Sequence, residues 1–385
     1  AAPAQPAAPH DDWRPGERPL RVGLVSPDLR RHPVGELLEP LLRAIDRERV
    51  EFTIYNDAVA PDAYTATLQG LSARWRDSVR INDARLGEAV RHDGIDVLID
   101  LAGYGQGGRP ALFAQRHAPL QLGWLGYLHP TGLPAMDAVL GDTVLCAAMP
   151  QVAGCEPGLA LDAPFLCFQA PPEAPPVVPA AAARRPGEGI RFGSFNHLAK
   201  LSTRTVAVWS ALLRALPDAT LTLSALGIAD EGVRVAMARR FAAQDIDPIR
   251  LRLLPPTTDR AAYLARFAEI DIALDPLPFN AGMTGLQGLW QGVPTLPPPG
   301  ERMAARMGAS MLTALGMPEA IATGPDGFVQ RGQALADTVL ADPQAYRTQL
   351  RERLRASALM DARGFAEAFA SALESQMRRL PAPAS

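Results

Sequence analysis

The sequence predicts an α/β protein of two doubly wound domains, each with a parallel sheet between layers of helices. Two observations predict this class: strand-length apolar segments alternate with segments of helical periodicity, and a Pro- and Ala-rich stretch divides the chain into two such blocks. The predicted boundaries are a linker over residues 1–19, Rossmann-like domains over 20–170 and 190–360, a second linker over 171–189, a C-terminal helix over 361–380 and a disordered tail over 381–385.

The first block begins with a buried-strand pattern, Leu20–Ser26, followed by apolar positions at helical spacing over 34–46. Three further strands and one helix are predicted, at Phe52–Tyr55, Ile95–Leu101 and Leu120–Gly126 for the strands and Leu86–Arg91 for the helix. The carboxyl ends of parallel strands share one edge of a sheet, where functional groups gather. That edge is predicted to hold residues 26–32, 103–108 and 126–131.

The second block repeats the pattern. Its predicted strands are Ile190–Phe195, Thr220–Ser224, Ile249–Leu253 and Ile270–Asp275. Its predicted helices are one capped by Ser202 or Thr203 and running to Leu216, an amphipathic one over 259–269, and one over Leu286–Gln291. A glycine-containing loop, Pro278–Gly285, opens the last helix, and such a loop presents backbone N–H groups to an anion.

Composition excludes several classes of protein. With 38 basic and 41 acidic residues and a net charge of -3, the chain does not bind nucleic acid through bulk positive charge. No apolar run approaches the roughly 18 residues of a membrane span. The three cysteines form no CxxC pair, which disfavours a disulfide framework or a zinc site and makes a reducing cytoplasm the expected compartment. The sequence also lacks GxxxxGK[ST], HExxH and GxSxG motifs, so it does not support a P-loop NTPase, zincin or hydrolase.

The basic residues are unevenly distributed between the two types. Of 38, 37 are arginine and one, Lys200, is lysine. A codon bias explains the general loss of lysine but not the single lysine that remains, unless it remains by chance. An ammonium is a compact point charge, whereas a guanidinium is a wide planar fork. We therefore predict that Lys200 lies close to a phosphate.

Four long segments resemble the catalytic region of the protein O-linked N-acetylglucosaminyltransferase family, which also includes a plant O-fucosyltransferase and relatives that glucosylate asparagine. They are RVGLVSPDLRRHPVGELLEPLL, DGIDVLIDLAGYGQGGRPALFAQRHAPLQLGWLGYLHPTGLPAMD, FGSFNHLAKLS and DIALDPLPFNAGMTGLQGLWQGVPTLPPPGERMAARMGASML, within a resemblance over residues 18–380. The resemblance implies a GT-B architecture, in which two Rossmann-like domains face a cleft. It also implies tetratricopeptide repeats upstream of the catalytic region.

The resemblance implies a set of donor-binding residues in the second block. Lys200 matches a catalytic lysine at the donor diphosphate, where it would offset the charge of the leaving group. Thr284 matches a threonine that binds the diphosphate, and Arg266 matches an arginine near the nucleotide; a solvated helix face is the alternative for Arg266. The remaining donor-side positions are His197, Tyr263, Gly282, Met283 and Gln287.

The resemblance also implies acceptor-side residues in the first block. His32 matches a catalytic histidine beside the acceptor, with an ordinary surface-loop histidine as the alternative. Asp28 and Tyr104 belong to the same rim, unless they only cap turns. Leu125 and Gly126 complete the acceptor side.

Several positions depart from the family pattern. Met283 replaces a hydroxyl residue of the glycine-containing loop Pro278–Gly285, called the anion loop below. Gln287 replaces the Asp or Glu that accepts hydrogen bonds from ribose hydroxyls. Ala199 stands where an aromatic residue is common, and Tyr263 where some members have histidine. The acceptor-side segment 126–131 reads GYLHPT, without the family's second glycine.

Three hypotheses follow for the function. The first is an inverting, metal-independent transferase that moves N-acetylglucosamine from a UDP-linked donor to Ser/Thr hydroxyls of a protein or peptide. The second keeps the fold but changes the donor or acceptor, as in asparagine glucosylation, O-fucosylation or transfer to a small glycan. The third is a non-catalytic nucleotide-sugar-binding protein, which the changes at Met283 and Gln287 favour. None of the three involves nucleic acid or a membrane span.

Overall fold

The structure is a computed structural model that describes residues 13–150, 152–177, 188–257 and 259–380. The chain divides into two compact units. Unit 1 comprises the chain up to Gln169 and the segment from Asp361, and unit 2 comprises Ala170–Met360. The predicted linkers and tail fall partly or wholly outside the described residues, at 1–12, 178–187 and 381–385. Within the described part of the first linker, Arg18 forms a two-pronged ion pair with the buried carboxylate of Asp96, at 2.6 and 2.8 Å.

Unit 1 contains a seven-stranded parallel sheet. Its strands are β1 (Leu20–Ser26), β2 (Val50–Asn56), β3 (Arg74–Asp77), β4 (Val97–Asp100), β5 (Leu120–Gly123), β6 (Ala138–Gly141) and β7 (Gly158–Ala160). Their order is β3-β2-β1-β4-β5-β6-β7, so the direction of winding reverses between β1 and β4, where Val25 pairs with Asp100. In an open parallel sheet, ligands bind outside the carboxyl ends of the strands at such a reversal.

Helices connect these strands. They are α1 (Pro33–Ala44), α2 (Ala63–Leu71), α3 (Asp83–His92), α4 (Pro110–Phe113) and α5 (Thr143–Cys146). Helix α1 packs against α2, and α3 packs against α4. Right-handed crossovers on the two sides of the winding reversal place these pairs on opposite faces of the sheet. Unit 1 is therefore doubly wound, as the sequence predicts.

Unit 2 contains a five-stranded parallel sheet with the same kind of reversal, between β8 and β11. Its strands are β8 (Arg191–Ser194), β9 (Thr220–Ser224), β10 (Leu251–Leu254), β11 (Ile272–Leu274) and β12 (Thr295–Leu296). Their order is β10-β9-β8-β11-β12. Trp209, Phe241 and Phe328 fill the core over one face of this sheet.

The helices of unit 2 are α6 (Thr203–Ala215), α7 (Glu231–Ala242), α8 (Arg260–Ala265), α9 (Met283–Trp290), α10 (Met307–Ala314), α11 (Gly324–Ala341) and α12 (Pro343–Arg355). Ser202 caps α6 by accepting the N–H of Thr205 at 3.1 Å, one of the two predicted caps. The predicted start of α9 at Leu286 is wrong, because the helix begins three residues earlier. Gly285, the last residue of the predicted loop, lies inside the helix, and Gly282 is its N-cap.

Helix α13 (Ala362–Arg379) belongs to unit 1. It packs against α1, and its Phe369 ring lies 5.2 Å from that of Trp124. Arg49 binds Glu367 and Glu374 of the same helix at 2.6 and 2.9 Å. Across the part of the chain that the structure describes, no helix combines the length and apolar character that a membrane crossing needs.

Candidate functional site

The glycine-containing loop of unit 2 runs from the end of β11 to the start of α9. Gly282 is the N-cap residue, and its carbonyl accepts the N–H groups of Gly285 and Leu286 at 3.0 and 3.2 Å. The N–H groups of the first helical turn have no partner within a helix and point out from its N-terminus. Those of Met283 and Thr284 stand in this turn. Helix α9 therefore offers the anion-binding geometry that the sequence predicts.

Lys200 contacts this loop from the segment that follows β8. It ends a short 3₁₀ turn, Leu198–Lys200, beyond β8. Its Nζ donates to the carbonyl oxygen of Asn280 at 2.8 Å and stands 4.2 Å from the centre of the Phe279 ring. Burial lowers the pKa of Lys200 to about 8, and the charge of Asp275 opposes that effect. At neutral pH the side chain therefore remains a protonated point charge next to the anion loop.

Tyr263 reaches the first turn of α9 from α8. Its hydroxyl is hydrogen-bonded to the Thr284 side chain, and burial raises its pKa to about 12, so it keeps its proton. The Tyr263 ring packs edge-on against Phe195 and Phe267, with ring centres 6.3 and 5.7 Å apart. The structure thus brings Tyr263 and Thr284 together at the N-terminus of α9.

Two other predicted donor residues are His197, which follows β8, and Arg266, which follows α8. His197 is exposed, and its Nδ1 accepts the N–H of Ala199 at 3.2 Å, which caps the 3₁₀ turn. Arg266 donates to Ser224 Oγ at 2.7 Å and to the Pro255 carbonyl at 2.6 Å. Arg266 therefore joins the ends of β9 and β10 instead of lying on a solvated helix face.

The two positions that depart from the family pattern are both buried. Met283 is 8% exposed and Gln287 is 7% exposed, both on α9. Their side chains are therefore part of the packed surroundings of the anion loop rather than of its solvent-facing rim.

In unit 1, His32 is the N-cap residue of α1. Its Nδ1 accepts the N–H of Val34 at 3.3 Å and lies 3.7 Å from Asp28 Oδ1. Burial lowers the pKa of His32, against the opposing charge of Asp28, so the ring is neutral at pH 7. Because Nδ1 acts as an acceptor, the proton of the neutral ring is on Nε2. His32 is thus set to donate a hydrogen bond.

Asp100 is a candidate that sequence reasoning missed. It ends β4, beside β1, and is 3% exposed. Its Oδ1 accepts the N–H groups of Ala102 and Gly103 at 2.8 and 2.9 Å, while its buried Oδ2 has no hydrogen-bond partner among the described residues. Burial raises the pKa of this carboxyl, which makes its ionised form a stronger base. Its only sequence signal is an acidic residue at a strand's carboxyl end.

The remaining acceptor-side residues shape the loops after β4 and β5. The Tyr104 hydroxyl donates to the Thr131 carbonyl at 3.0 Å. Leu125 has φ +67°, a strained conformation for a non-glycine residue and one that is frequent at functional sites. A side chain at Gly126 would stand 2.0 Å from the Leu101 carbonyl oxygen, so only glycine fits there. Within the described ranges, no cluster of His, Cys, Asp and Glu side chains could hold a metal ion.

Comparison with known proteins gives one family match. The family described as glycosyl transferase family 41 matches residues 5–153 and 169–369. The chain is 30% identical to the rice protein named probable UDP-N-acetylglucosamine–peptide N-acetylglucosaminyltransferase SPINDLY, over 96% of the chain and 40% of that protein. It is 24% identical to a Caenorhabditis elegans UDP-N-acetylglucosamine–peptide N-acetylglucosaminyltransferase, over 80% of the chain and 36% of that protein. The chain therefore spans about two fifths of the length of these relatives.

Two solved structures are also similar. A mutant of Thermobaculum terrenum O-GlcNAc transferase superposes with a TM-score of 0.87 and 35% identity, over 97% of this chain and 70% of that one. An E. coli trehalose-6-phosphate protein bound to UDP-2-fluoro glucose superposes with a TM-score of 0.51 and 13% identity, over 92% of this chain and 99% of that one. The second likeness concerns the fold alone. Both agree with the predicted fold class.

Proposed function

The chain belongs to glycosyltransferase family 41, and from this premise we propose that it transfers N-acetylglucosamine from UDP-N-acetylglucosamine to Ser or Thr hydroxyls of a protein or peptide. The names of the rice and C. elegans relatives support this donor and a peptide acceptor. The observation that carries the proposal is the ammonium of Lys200, held on the Asn280 carbonyl next to the anion loop of α9.

In this proposal, unit 2 binds the donor. The N–H groups of Met283 and Thr284 and the Thr284 hydroxyl bind the diphosphate, and Lys200 offsets its charge. As the bond between the sugar and the diphosphate breaks, negative charge grows on the leaving group. A preorganised ammonium stabilises that charge more in the transition state than in the ground state, so it accelerates the reaction without a metal ion.

Unit 1 supplies the acceptor-side groups. His32, with its Nδ1 occupied, donates from Nε2 to the acceptor or to the sugar. Asp100, whose Oδ2 has no partner in the described chain and whose pKa burial raises, is the candidate that takes the proton of the acceptor hydroxyl. Attack of the hydroxyl on the face opposite the diphosphate inverts the anomeric centre.

The partners are proposed from the family resemblance, which implies an acceptor protein or peptide and an upstream tetratricopeptide-repeat region. The compartment is proposed from the cysteines: the free thiols of Cys146, Cys155 and Cys167 support a reducing compartment, the cytoplasm.

The test combines binding with product mass. Melting temperature is measured with UDP, GDP, UDP-N-acetylglucosamine, UDP-glucose and GDP-fucose, and intact mass is measured on proteins and peptides incubated with each sugar donor. The expected result is stabilisation by UDP and added N-acetylhexosamine on hydroxyl residues, absent with Lys200→Ala. Addition of a hexose or deoxyhexose instead, modification of asparagine, or binding without transfer or donor hydrolysis would contradict the proposal.

A further inference from the structure

The loop that carries the Lys200 contact is fixed by two buried polar residues, neither of which sequence analysis places in the donor site. Asp275 follows β11 and is 2% exposed, and Asn280 is fully buried. Burying polar side chains is costly unless each polar atom finds a partner. Each polar atom of these two side chains therefore needs a partner.

Asn280 has each of its four polar groups engaged. Its N–H donates to the Ala304 carbonyl at 2.9 Å, and its Nδ2 donates to the Pro276 carbonyl at 2.8 Å. Its Oδ1 accepts the N–H of Gly308 at 3.3 Å, and its backbone carbonyl accepts Lys200 Nζ at 2.8 Å. The oxygen that receives the ammonium is thus attached rigidly to the rest of unit 2.

Asp275 is bound on one oxygen only. Its Oδ1 accepts the N–H of Ala281 at 2.8 Å. A hydrogen bond from the Thr295 side chain also favours the ionised form of this carboxyl. Its buried Oδ2 has no hydrogen-bond partner among the residues described. A side chain at Gly308 would stand 2.4 Å from that oxygen, so glycine at the start of α10 makes room for it.

The charges of Asp275 and Lys200 act on each other. Burial lowers the pKa of Lys200 and the Asp275 charge raises it, while burial raises the pKa of Asp275 to about 7 and the Lys200 charge lowers it. Among the described residues packed around Lys200, Asp275 is the charged group whose field acts on it. The other close neighbours, the Phe279 ring and the Asn280 carbonyl, are uncharged.

We propose that Asp275 and Asn280 are positioning residues for Lys200: the Asn280 carbonyl fixes where the ammonium stands, and the Asp275 carboxylate, held in the same loop by the Ala281 N–H, is its buried counter-charge. The inference rests on the proposed function, because it assumes that Lys200 acts on a donor diphosphate. Neither residue contacts the donor in this arrangement. Both act through Lys200.

The single lysine makes a direct test possible. In the full chain with a lysine-free tag, ¹³C- and ¹⁵N-labelled lysine gives one side-chain NMR signal, that of Lys200. Its titration is followed in wild type, Asp275→Asn and Asn280→Ala, with Asp326→Asn, at an exposed position on α11, as a control for charge. Melting temperatures check that each variant is folded.

Asp275→Asn retains an oxygen for the Ala281 N–H but removes the charge, so the pKa of Lys200 is expected to fall by about 1 unit or more. The apparent pKa at which donor turnover is lost at high pH should fall by the same amount. Activity therefore falls about tenfold at pH 8.5 and much less at pH 6.5. Asn280→Ala is expected to shift the Lys200 pKa the other way, towards its ordinary value, because a freed side chain is hydrated. Its turnover should nevertheless fall. Asp326→Asn should change neither quantity.

Two failures are distinguishable. If wild type shows no turnover and UDP leaves the Lys200 signal unchanged, the proposed function is wrong. If wild type is active but folded Asp275→Asn keeps the wild-type Lys200 pKa, or loses activity equally at every pH, then Asp275 is only structural and the inference is wrong. Should Asn280→Ala fail to fold, the titration of Asp275→Asn alone decides.

Discussion

The strand-end loops of the two units differ in what their backbone groups bind. In unit 2, the loop after β11 is tied by the Asn280 amide and by one Asp275 oxygen, and the Asn280 carbonyl accepts the ammonium of Lys200. In unit 1, carboxylates hold the loops: Asp100 accepts two backbone N–H groups after β4, and Glu156 accepts those of Thr131 and Gly132 at 2.9 Å each. The backbone donors of unit 1 are therefore used by the protein's own anions.

Under the proposed function, this difference agrees with donor binding by unit 2 and acceptor binding by unit 1. A diphosphate needs free N–H groups and a cation, which the start of α9 and Lys200 offer. An uncharged hydroxyl acceptor needs a hydrogen-bond donor and a proton acceptor, which His32 and Asp100 offer. Similar sheets thus present opposite chemistry at corresponding edges.

The largest effect is expected at Lys200. Lys200→Ala should lower transfer and donor hydrolysis by on the order of 10²–10³, or roughly 3–4 kcal/mol, because it removes a preorganised charge from the leaving group. Lys200→Arg should be nearly as harmful, since the guanidinium is wider than the ammonium that now contacts the Asn280 carbonyl and the Phe279 ring, so its charge would be displaced. Initial rates at pH 7, with melting temperatures as the folding check, measure both.

The same substitutions test the pH dependence. Wild-type activity should decline as pH rises through about 8, where the Lys200 ammonium loses its proton. Lys200→Arg should lack that decline, because arginine stays charged. Retention of more than about a third of the activity by Lys200→Arg would show that the single lysine is chance and that its compact shape is not required.

Asp100→Asn should lower transfer by about 10², at the low end of what a general base contributes. Asparagine keeps an oxygen for the N–H groups of Ala102 and Gly103 but cannot take a proton. The low-pH decline of the wild type, which reflects a carboxyl pKa raised by burial, should disappear in the variant. UDP affinity, measured by calorimetry, should not change. A variant with wild-type transfer would remove Asp100 from the acceptor side.

A smaller effect is expected at His32. Asparagine is itself a good N-cap residue, so His32→Asn should preserve α1 while removing the Nε2 donor. Transfer to peptide should fall about tenfold, the loss of one hydrogen bond of roughly 1.4 kcal/mol, with little change in UDP binding. His32→Ala, which removes the cap as well, should also lower the melting temperature. Equal melting temperatures for the two variants would show that the cap contributes nothing.

Most strands were predictable from sequence, including the edge strand β10, but β3, β6 and β7 were not. β1 and β4 are short, mostly apolar runs that are almost fully buried, which is the pattern of central parallel strands. β3 reads Arg-Trp-Arg-Asp and is largely exposed, so no apolar pattern marks it. Its backbone pairing with β2 defines it, and that pairing depends on the rest of the sheet.

The site divides along a similar line. Lys200 was predictable because one lysine among 37 arginines is visible in composition. Asp275, Asn280 and Asp100 were not, because what distinguishes them is burial and the presence or absence of a partner. These properties arise only when distant segments pack, as when Gly308 meets both Asp275 and Asn280. Arg266 was singled out from the sequence, but its hydrogen bonds to the ends of β9 and β10 could be seen only in the folded chain.

The smallest effect is expected at Glu156, the carboxylate that holds the loop after β5. Glu156→Gln can retain one acceptor oxygen, but its amide nitrogen cannot accept, so one of the Thr131 and Gly132 N–H groups loses its partner. The expected cost is about 1–2 kcal/mol, which lowers the melting temperature of unit 1 by about 2–8 °C. Glu88→Gln, at an exposed position on α3, is the matched control and should leave it unchanged. UDP affinity should be the same in wild type and both variants, because the donor groups belong to unit 2. If Glu156→Gln weakened UDP binding as much as it weakened peptide transfer, the two edges would not be chemically separate, and the assignment of donor to one unit and acceptor to the other would fail.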